Sequence, residues 1–534
     1  METLKPKYNK QDIINVGLIL LLGFLIARQL QDYMDVLLWD EAIYLDRGFL
    51  LWKIIPNTWG PVYSVWYKLL SYIEQNKIAL YYLNFKILFL LSSILAYLFM
   101  VALRMPKVMA LFFTCMWLIH PYNLPSWPKI SHFVICIILF AAIFIQYLKS
   151  TINQIVVFSI AFLICGFARP ELYLSFIFSV LLLFILIFIN RKNINQSNIL
   201  SICIWLLFVG VTYKLYRTPL TNGDAQRGMG VFIQHFALNY SIWNKQDVLW
   251  WFDFQDAVMH CFKPPYTLKN FVENPYLWKH FSFNIQLLLS KSFSLIFNLI
   301  FPFHFISKKI FFVLSSLLSL YLLYKNKCKI KYFFQLIKEQ FLLFSLLLLS
   351  VLPSIASSIY AHPRTHYLVL FFPFIFFILS AFFPKDKESN ILHSLLIFLV
   401  FILFMPKAKD FQYFDLYGTD KNMMTKKSIS FIEDKYQNQP TTILDIDGLM
   451  PSLMNSNFKS SNIRPLIKED SVLISAIILN EQPDIIYITP TMMKLKKNKT
   501  DSLFQQMIAA PERFNYHKQS IPTLEDVYLL EKTK

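Results

Sequence analysis

Three short stretches hold the residue types that group-transfer chemistry needs. The first is LLWDEAIYLDRG, Leu37 to Gly48, where an apolar run ends in two adjacent carboxylates, Asp40 and Glu41, flanked by Trp39 and Tyr44. One reading is an acid pair solvated at a membrane edge. The other is a general base whose pKa is raised by low dielectric and by the neighbouring carboxylate. The second stretch is FARPEL, Phe167 to Leu172, with Arg169, Pro170 and Glu171 between two apolar runs. Its ions either cap a turn or present a cation to a phosphate. The third is YAHPRTHYLVLFFPF, Tyr360 to Phe374, which gathers His362, Arg364 and His366 within five residues. H-x-x-x-H spacing suggests a metal on a helix, but Pro363 works against helix there. A phosphate clamp suits these residues better: arginine is a permanent bidentate donor, and protonated imidazoles add two more. A metal requirement stays open.

The elements that position these stretches follow from composition. The chain has 534 residues, 56% hydrophobic, 17% aromatic and 16% charged. Soluble chains carry about 25% charged residues. Runs such as FKILFLLSSILAYLFMVAL and YLSFIFSVLLLFILIFI are long enough to cross a hydrocarbon core of roughly 30 Å. The sequence therefore reads as a polytopic α-helical membrane protein with about eleven transmembrane helices, placed near 13–31, 78–103, 108–120, 131–149, 153–168, 172–189, 198–216, 308–324, 340–353, 367–383 and 390–405. The apolar region 154–189 would make one helix of about 54 Å, so it must break at Arg169-Pro170-Glu171. Residues 284–306 are apolar but contain Lys291, and are expected to lie in the interface or to be re-entrant.

Lys5, Lys7 and Lys10 precede the first span, which puts the N-terminus in the cytoplasm of a cell-membrane protein by the positive-inside rule. Residues 32–77 and 217–283 are then exoplasmic loops, and all three stretches above fall on the exoplasmic side, together with Lys129, Arg217, Arg227, His235 and His260. Residues 1–405 form the membrane domain. From 406 to 534 the texture becomes polar, with β-rich TTILDIDG and PDIIYITP around SVLISAIIL, and this reads as a C-terminal exoplasmic α/β domain. The net charge of +18 is explained by loop lysines facing anionic lipid; no basic-aromatic module points to nucleic acid. The six scattered cysteines frame neither a disulfide scaffold nor a metal site.

WDEAIYLDRG followed by WGPVYSVWYKLL resembles the first exoplasmic loop of the GT-C glycosyltransferases, in particular bacterial relatives of protein O-mannosyltransferases and lipid A aminoarabinose transferases. ARPE and RTHYLVLFFPF are similar to recurring segments of those families. The chain departs from the pattern at Gly60, where the family has proline, and at Thr365-His366 between Arg364 and Tyr367. The resemblance implies a GT-C-like enzyme that moves a sugar from a polyprenyl-phosphate donor to a glycan, lipid or protein acceptor. It implies Asp40 as the catalytic base, with Glu41 and Tyr63 at or supporting the acceptor. Arg364, Arg169, His362 and His366 would meet the donor phosphate. The other reading of the same layout is an envelope polysaccharide polymerase or a lipid-glycan transporter; a transporter would show charges at the membrane midplane, whereas these clusters sit at span ends.

Overall fold

The computed structural model describes residues 8–38, 40–51, 60–124, 127–219, 224–245, 261–262, 272–305, 308–325, 329–383, 391–404, 423–437, 439–446, 448–461 and 473–533. The apolar runs are helices, because a backbone in hydrocarbon has only itself to hydrogen-bond. Short polar residues start them. α1 (Lys10–Ala27) opens in a capping box: Asn9 accepts from the Gln11 amide, and Asp12 accepts from the Asn9 amide at 2.7 Å. The loop expected at 32–77 holds two amphipathic helices, α2 (Asp40–Phe49) and α3 (Pro61–Ser71). α4 (Lys77–Ala102) is capped by Asn76, and α5 (Lys107–Leu118) and α6 (Ile130–Phe144) follow. α7 (Thr151–Ala168), capped by Ser150, is separated from α8 (Tyr173–Ile189) by an extended Arg169 and the turn Pro170–Leu172. The long apolar region thus breaks at the proline, where its length required.

α9 (Gln196–Tyr216) is capped by Asn195. The segment expected as a polar loop at 217–283 contains α10 (Asp224–Trp243). Phe232 and Phe236 recur one turn apart on it and pack with Cys261, Phe262 and Leu277 in a small core of their own. Next comes α11 (Pro275–Ile300). Residues 284–300 of the segment expected to be interfacial or re-entrant belong to this uninterrupted 26-residue helix, which is not re-entrant and is long and apolar enough to cross a membrane. α12 (Lys309–Lys325) has 17 residues; the amphipathic α13 (Ile330–Glu339), then α14 (Phe341–Tyr360), α15 (Thr365–Ala381) and α16 (Ile391–Phe404) complete the membrane part. Among the described residues eight helices are long and apolar enough to span, and α5, α15 and α16 are shorter apolar helices.

Polar contacts define two ends of this bundle. At one, Tyr97 donates to Asp12 at 2.8 Å and Lys107 pairs with Asp12. Gln11 reaches Ser394, and Tyr321 lies 3.4 Å from His393. The Lys329 amide donates to the Phe382 carbonyl at 3.0 Å. The starts of α1, α5, α13 and α16 and the ends of α4, α12 and α15 therefore meet here. The other end holds α2, α3, the α7–α8 turn and the α14–α15 turn.

On that second end sits an α/β domain: α17 (Met424–Lys435), β1 (Thr441–Leu444), β2 (Phe458–Ser460), α18 (Ile474–Glu481), β3 (Ile485–Ile488), α19 (Ser502–Ala509), β4 (Tyr516–Ser520) and β5 (Tyr528–Lys532). The sheet order is β2-β1-β3-β5-β4, with β1 parallel to β2 and β3 and the remaining pairs antiparallel. TTIL and IIYI form the expected inner strands, buried almost throughout. Ile429, Ile432, Met450, Leu453 and Ile485 share one continuous apolar core with Leu45, Tyr67 and Phe85 of the membrane part.

Candidate functional site

The acid pair separates. Adjacent residues on a helix point about 100° apart, so α2 can turn only one of them inward. Asp40, in its first turn, stays half-buried, and its carboxylate makes no hydrogen bond or ion pair among the described residues. Glu41 is fully buried. Its Oε1 accepts from Tyr63 (2.6 Å), Tyr67 (2.5 Å) and Asn84 (2.9 Å), and its Oε2 accepts from the Lys129 amide at 2.8 Å. Burial pushes this carboxyl above the ordinary range, against the pull of those donors and of the Lys129 ammonium. Lys129 is itself fully buried; its Nζ donates to the Asn123 carbonyl, lies 3.5 Å from His132 Nε2 and sits 5.2 Å from the Phe85 ring centre. Burial lowers its pKa, opposed by Glu41. Glu41 and Tyr63 are thus engaged with each other inside the protein, the supporting arrangement of the two expected. Their polar atoms satisfy each other and fasten α2 to α3, α4 and the start of α6.

A short relay of rings leads from this network to the arginine turn. Tyr63 packs edge-on against Tyr44, centroids 5.3 Å apart. Tyr44 lies against Gly60, where an added Cβ would fall 2.8 Å from Tyr44 Cε1 and 3.3 Å from the Ala168 carbonyl. Gly60 also has φ +54°. Both the left-handed backbone and the close approach require glycine, which accounts for its presence just before Pro61, the first residue of α3. Next to Ala168, Arg169 is 8% exposed. Its Nε donates to Glu171 at 2.8 Å, and its guanidinium lies 4.5 Å from the Tyr367 ring centre. Nη2 lies 2.5 Å from the same Glu171 oxygen, so the arginine and the glutamate form a largely buried ion pair.

Tyr367 belongs to the third stretch. Arg364 is the N-cap of α15, and its amide donates to the His362 carbonyl at 2.7 Å, tightening the turn at Pro363. His366 feels the positive fields of both Arg169 and Arg364, with its ring hydrogen-bonded to the Trp127 backbone. His362 Nδ1 meets Asn239 Oδ1 at 2.8 Å, and the Asn239 amide reaches Asn284 at 2.8 Å and His280 at 2.9 Å. Asn284 donates to the Ile359 and Ala361 carbonyls, so α10 and α11 brace the end of α14. Lys291 Nζ donates to the Pro363 carbonyl at 2.7 Å and has no carboxylate partner among the described residues. The lysine that interrupts an apolar run thus joins the His362–Arg364 turn.

This cluster is cationic, but not through its imidazoles. Burial, with Lys291 and Arg364 adding to it, lowers His362 to about 3. Burial and Arg364 likewise lower His235, whose ring stacks on His362. Burial thus disfavours the protonated imidazole that would add donors, and the positive charge of this turn comes from Arg364 and Lys291, with the Arg169 charge matched by Glu171. Among the described residues the buried nitrogens Trp127 Nε1 and His235 Nε2 have no hydrogen-bond partner; His235 Nδ1 donates to the Val231 carbonyl, so Nε2 of the neutral ring is an acceptor. Orphaned polar atoms in a buried setting call for an occupant such as water or an anion. Among the described residues no group of three or more His, Cys, Asp or Glu could hold a metal ion.

The three stretches therefore form one continuous contact path, from the Asp40–Glu41 helix through Tyr63, Tyr44 and Gly60 to Arg169, Tyr367, His366 and Arg364. Of the other charged residues expected on this face, Lys129 and His235 belong to it, and Arg217 is exposed. The side chain of Arg227 and all of His260 lie outside the described residues. Sequence reading missed Asn84, Tyr67, Asn239, His280 and Asn284. The lone polar residues within apolar helices were the signal for them, since such residues are costly in hydrocarbon and are kept where they pair. No family model matches the chain, and no curated protein or solved structure matches it either.

Proposed function

We propose that this protein is a membrane glycosyltransferase that takes a sugar from a polyprenyl-phosphate donor and passes it to an exoplasmic glycan, lipid or protein acceptor. The observation that carries the reading is the pairing, at one end of a helical bundle, of a half-buried carboxylate without a partner among the described residues and a part-buried cluster of cations beside the unpartnered Trp127 indole N–H. A lipid-borne donor is confined to the bilayer, so its phosphate must be met at the end of transmembrane helices. In this reading Arg169, Arg364 and Lys291 take that phosphate, and the unpartnered Trp127 indole N–H is a further donor. As the glycosidic bond breaks, negative charge grows on the leaving phosphate, so fixed cations favour the transition state over the ground state.

In the proposed step an acceptor hydroxyl attacks the anomeric carbon from the face opposite the phosphate. The bond from that carbon to the phosphate oxygen breaks, and its electron pair leaves with the polyprenyl phosphate. The hydroxyl proton passes to Asp40, and the anomeric configuration inverts. Glu41 holds the base-bearing helix. The lysines at the far end of the bundle, Lys107, Lys325, Lys329 and Lys331, favour a cytoplasmic N-terminus and an exoplasmic site in a cell membrane.

The test is Asp40→Asn in membranes supplied with labelled polyprenyl-phosphate sugar. Release of polyprenyl phosphate should fall at least about 10³-fold, a general-base loss of the usual size, with insertion and folding unchanged. Undiminished release would remove Asp40 as the base.

A further inference from the structure

We propose that the C-terminal α/β domain is a positioning element of the site, holding α2, and with it Asp40, through Asp35 and the turn Met450–Leu453. The inference rests on the glycosyl-transfer reading for its kinetic consequence and on contacts alone for its structural one.

The residue before α17, Met423, has a φ of +53°, unusual for a residue with a side chain, and no local side chain caps the helix. Its cap comes from the membrane part, about 390 residues earlier. Asp35 is 3% exposed; its Oδ2 accepts from the Thr425 amide at 2.8 Å and its Oδ1 from the Lys426 amide at 2.9 Å. A carboxylate on the first free amides of a helix also complements the helix dipole. Lys426 closes the contact from the other side: its Nζ donates to the Gln31 carbonyl at 2.9 Å and lies over the Tyr82 ring. Tyr82 in turn donates to the Met34 carbonyl at 2.6 Å. Residues 31–36, which lead into Asp40, are thus clamped between α4 and the C-terminal domain.

The second hold is on α2 itself. It packs against α3 and α4 and against the Met450–Leu453 turn. That turn is fixed from within the domain: Asp445, at the end of β1, accepts from the Leu449 and Met450 amides at 3.2 and 2.7 Å. On the membrane side, Asp46 of α2 pairs with Lys77 at 2.8 Å, and Lys77 also faces Glu433 of α17. α2 is thus held on one side by the Glu41 network and on another by this domain. A domain that merely sat on the bundle would need neither a buried carboxylate reaching across to cap its first helix nor a turn seated on the acid-bearing helix.

The test uses the intact protein in lipid nanodiscs and reads amide exchange across residues 40–49 beside donor turnover. Asp35→Ala should speed exchange in α2 about tenfold, the scale of losing charged hydrogen bonds to a helix start. It should lower kcat while leaving donor KM unchanged, because the cation cluster stays put. Asp35→Asn, which keeps an acceptor oxygen, should fall between, and Lys426→Met should act in the same direction more weakly. If Asp35→Ala fails to fold, the two milder variants decide. Faster exchange in α17 alone, with α2 and kcat unchanged, would overturn the proposal. Should the wild-type protein transfer no sugar, exchange in α2 still decides it, so the two readings fail separately.

Discussion

Asp40 and Glu41 show how one helix turn assigns two unlike roles to the same chemistry. Glu41 accepts four hydrogen bonds in a fully buried setting, and Asp40 accepts none among the described residues. Removing a buried carboxylate leaves its donors stranded, so Glu41→Ala should lower stability by about 3–5 kcal/mol. Glu41→Gln keeps the shape but turns an amide N–H2 toward donors, and should cost about 1–3 kcal/mol. Thermal unfolding in detergent would check both, and equal, small losses would contradict the assignment of Glu41 as the pin of α2. The sequence made the pair conspicuous but could not rank its members. The inward direction is set by Tyr63, Tyr67, Asn84 and the Lys129 amide, which arrive from three other elements. In the same way His362 reads from sequence as a titratable donor near neutrality. Only its burial beside Lys291 and Arg364 keeps it neutral.

At the scale of elements, starts and breaks were legible because they are local. Asn9, Asn76, Ser150 and Asn195 cap the helices that follow them, and Pro170 divides a run too long for one span. α10 was not legible as helix, since its polar residues hide a short apolar stripe that gains meaning only against α11. The continuity of α11 was hidden for a related reason: Lys291 looks like a break until the Pro363 carbonyl receives it. The inner strands of the C-terminal domain were plain from their β-branched runs, and they carry a pH prediction. Burial raises Asp445 from 3.8 to about 6. A carboxyl with a raised folded-state pKa stabilises fully below pH 3.8, and that contribution is lost as pH rises through about 6. The domain should therefore loosen between pH 4 and 6, and Asp445→Asn should remove the slope and add roughly 2–4 kcal/mol at pH 7.5. Amide exchange of β1 and β3, corrected for intrinsic rates, measures it; a slope that survives in the variant would assign it to another group.

The whole molecule is a helical bundle with two unlike ends. One gathers lysines around the start of α1, and the other gathers the acids, the arginine turn, the histidine turn and the α/β domain. Spacing along the chain could not predict that meeting, because Asp40, Arg169 and Arg364 are separated by more than a hundred residues each. Their common placement at span ends was the only hint. The central claim is that this end holds a lipid phosphate. It is tested most directly by titrating polyprenyl phosphate onto the protein in neutral-lipid nanodiscs, comparing wild type with Lys291→Met and Arg169→Met. The account predicts saturable binding that weakens about tenfold or more in each variant, the cost of one charge-assisted contact, while Asp40→Asn binds as wild type. Binding of equal strength in all four proteins, or none in any, would contradict it.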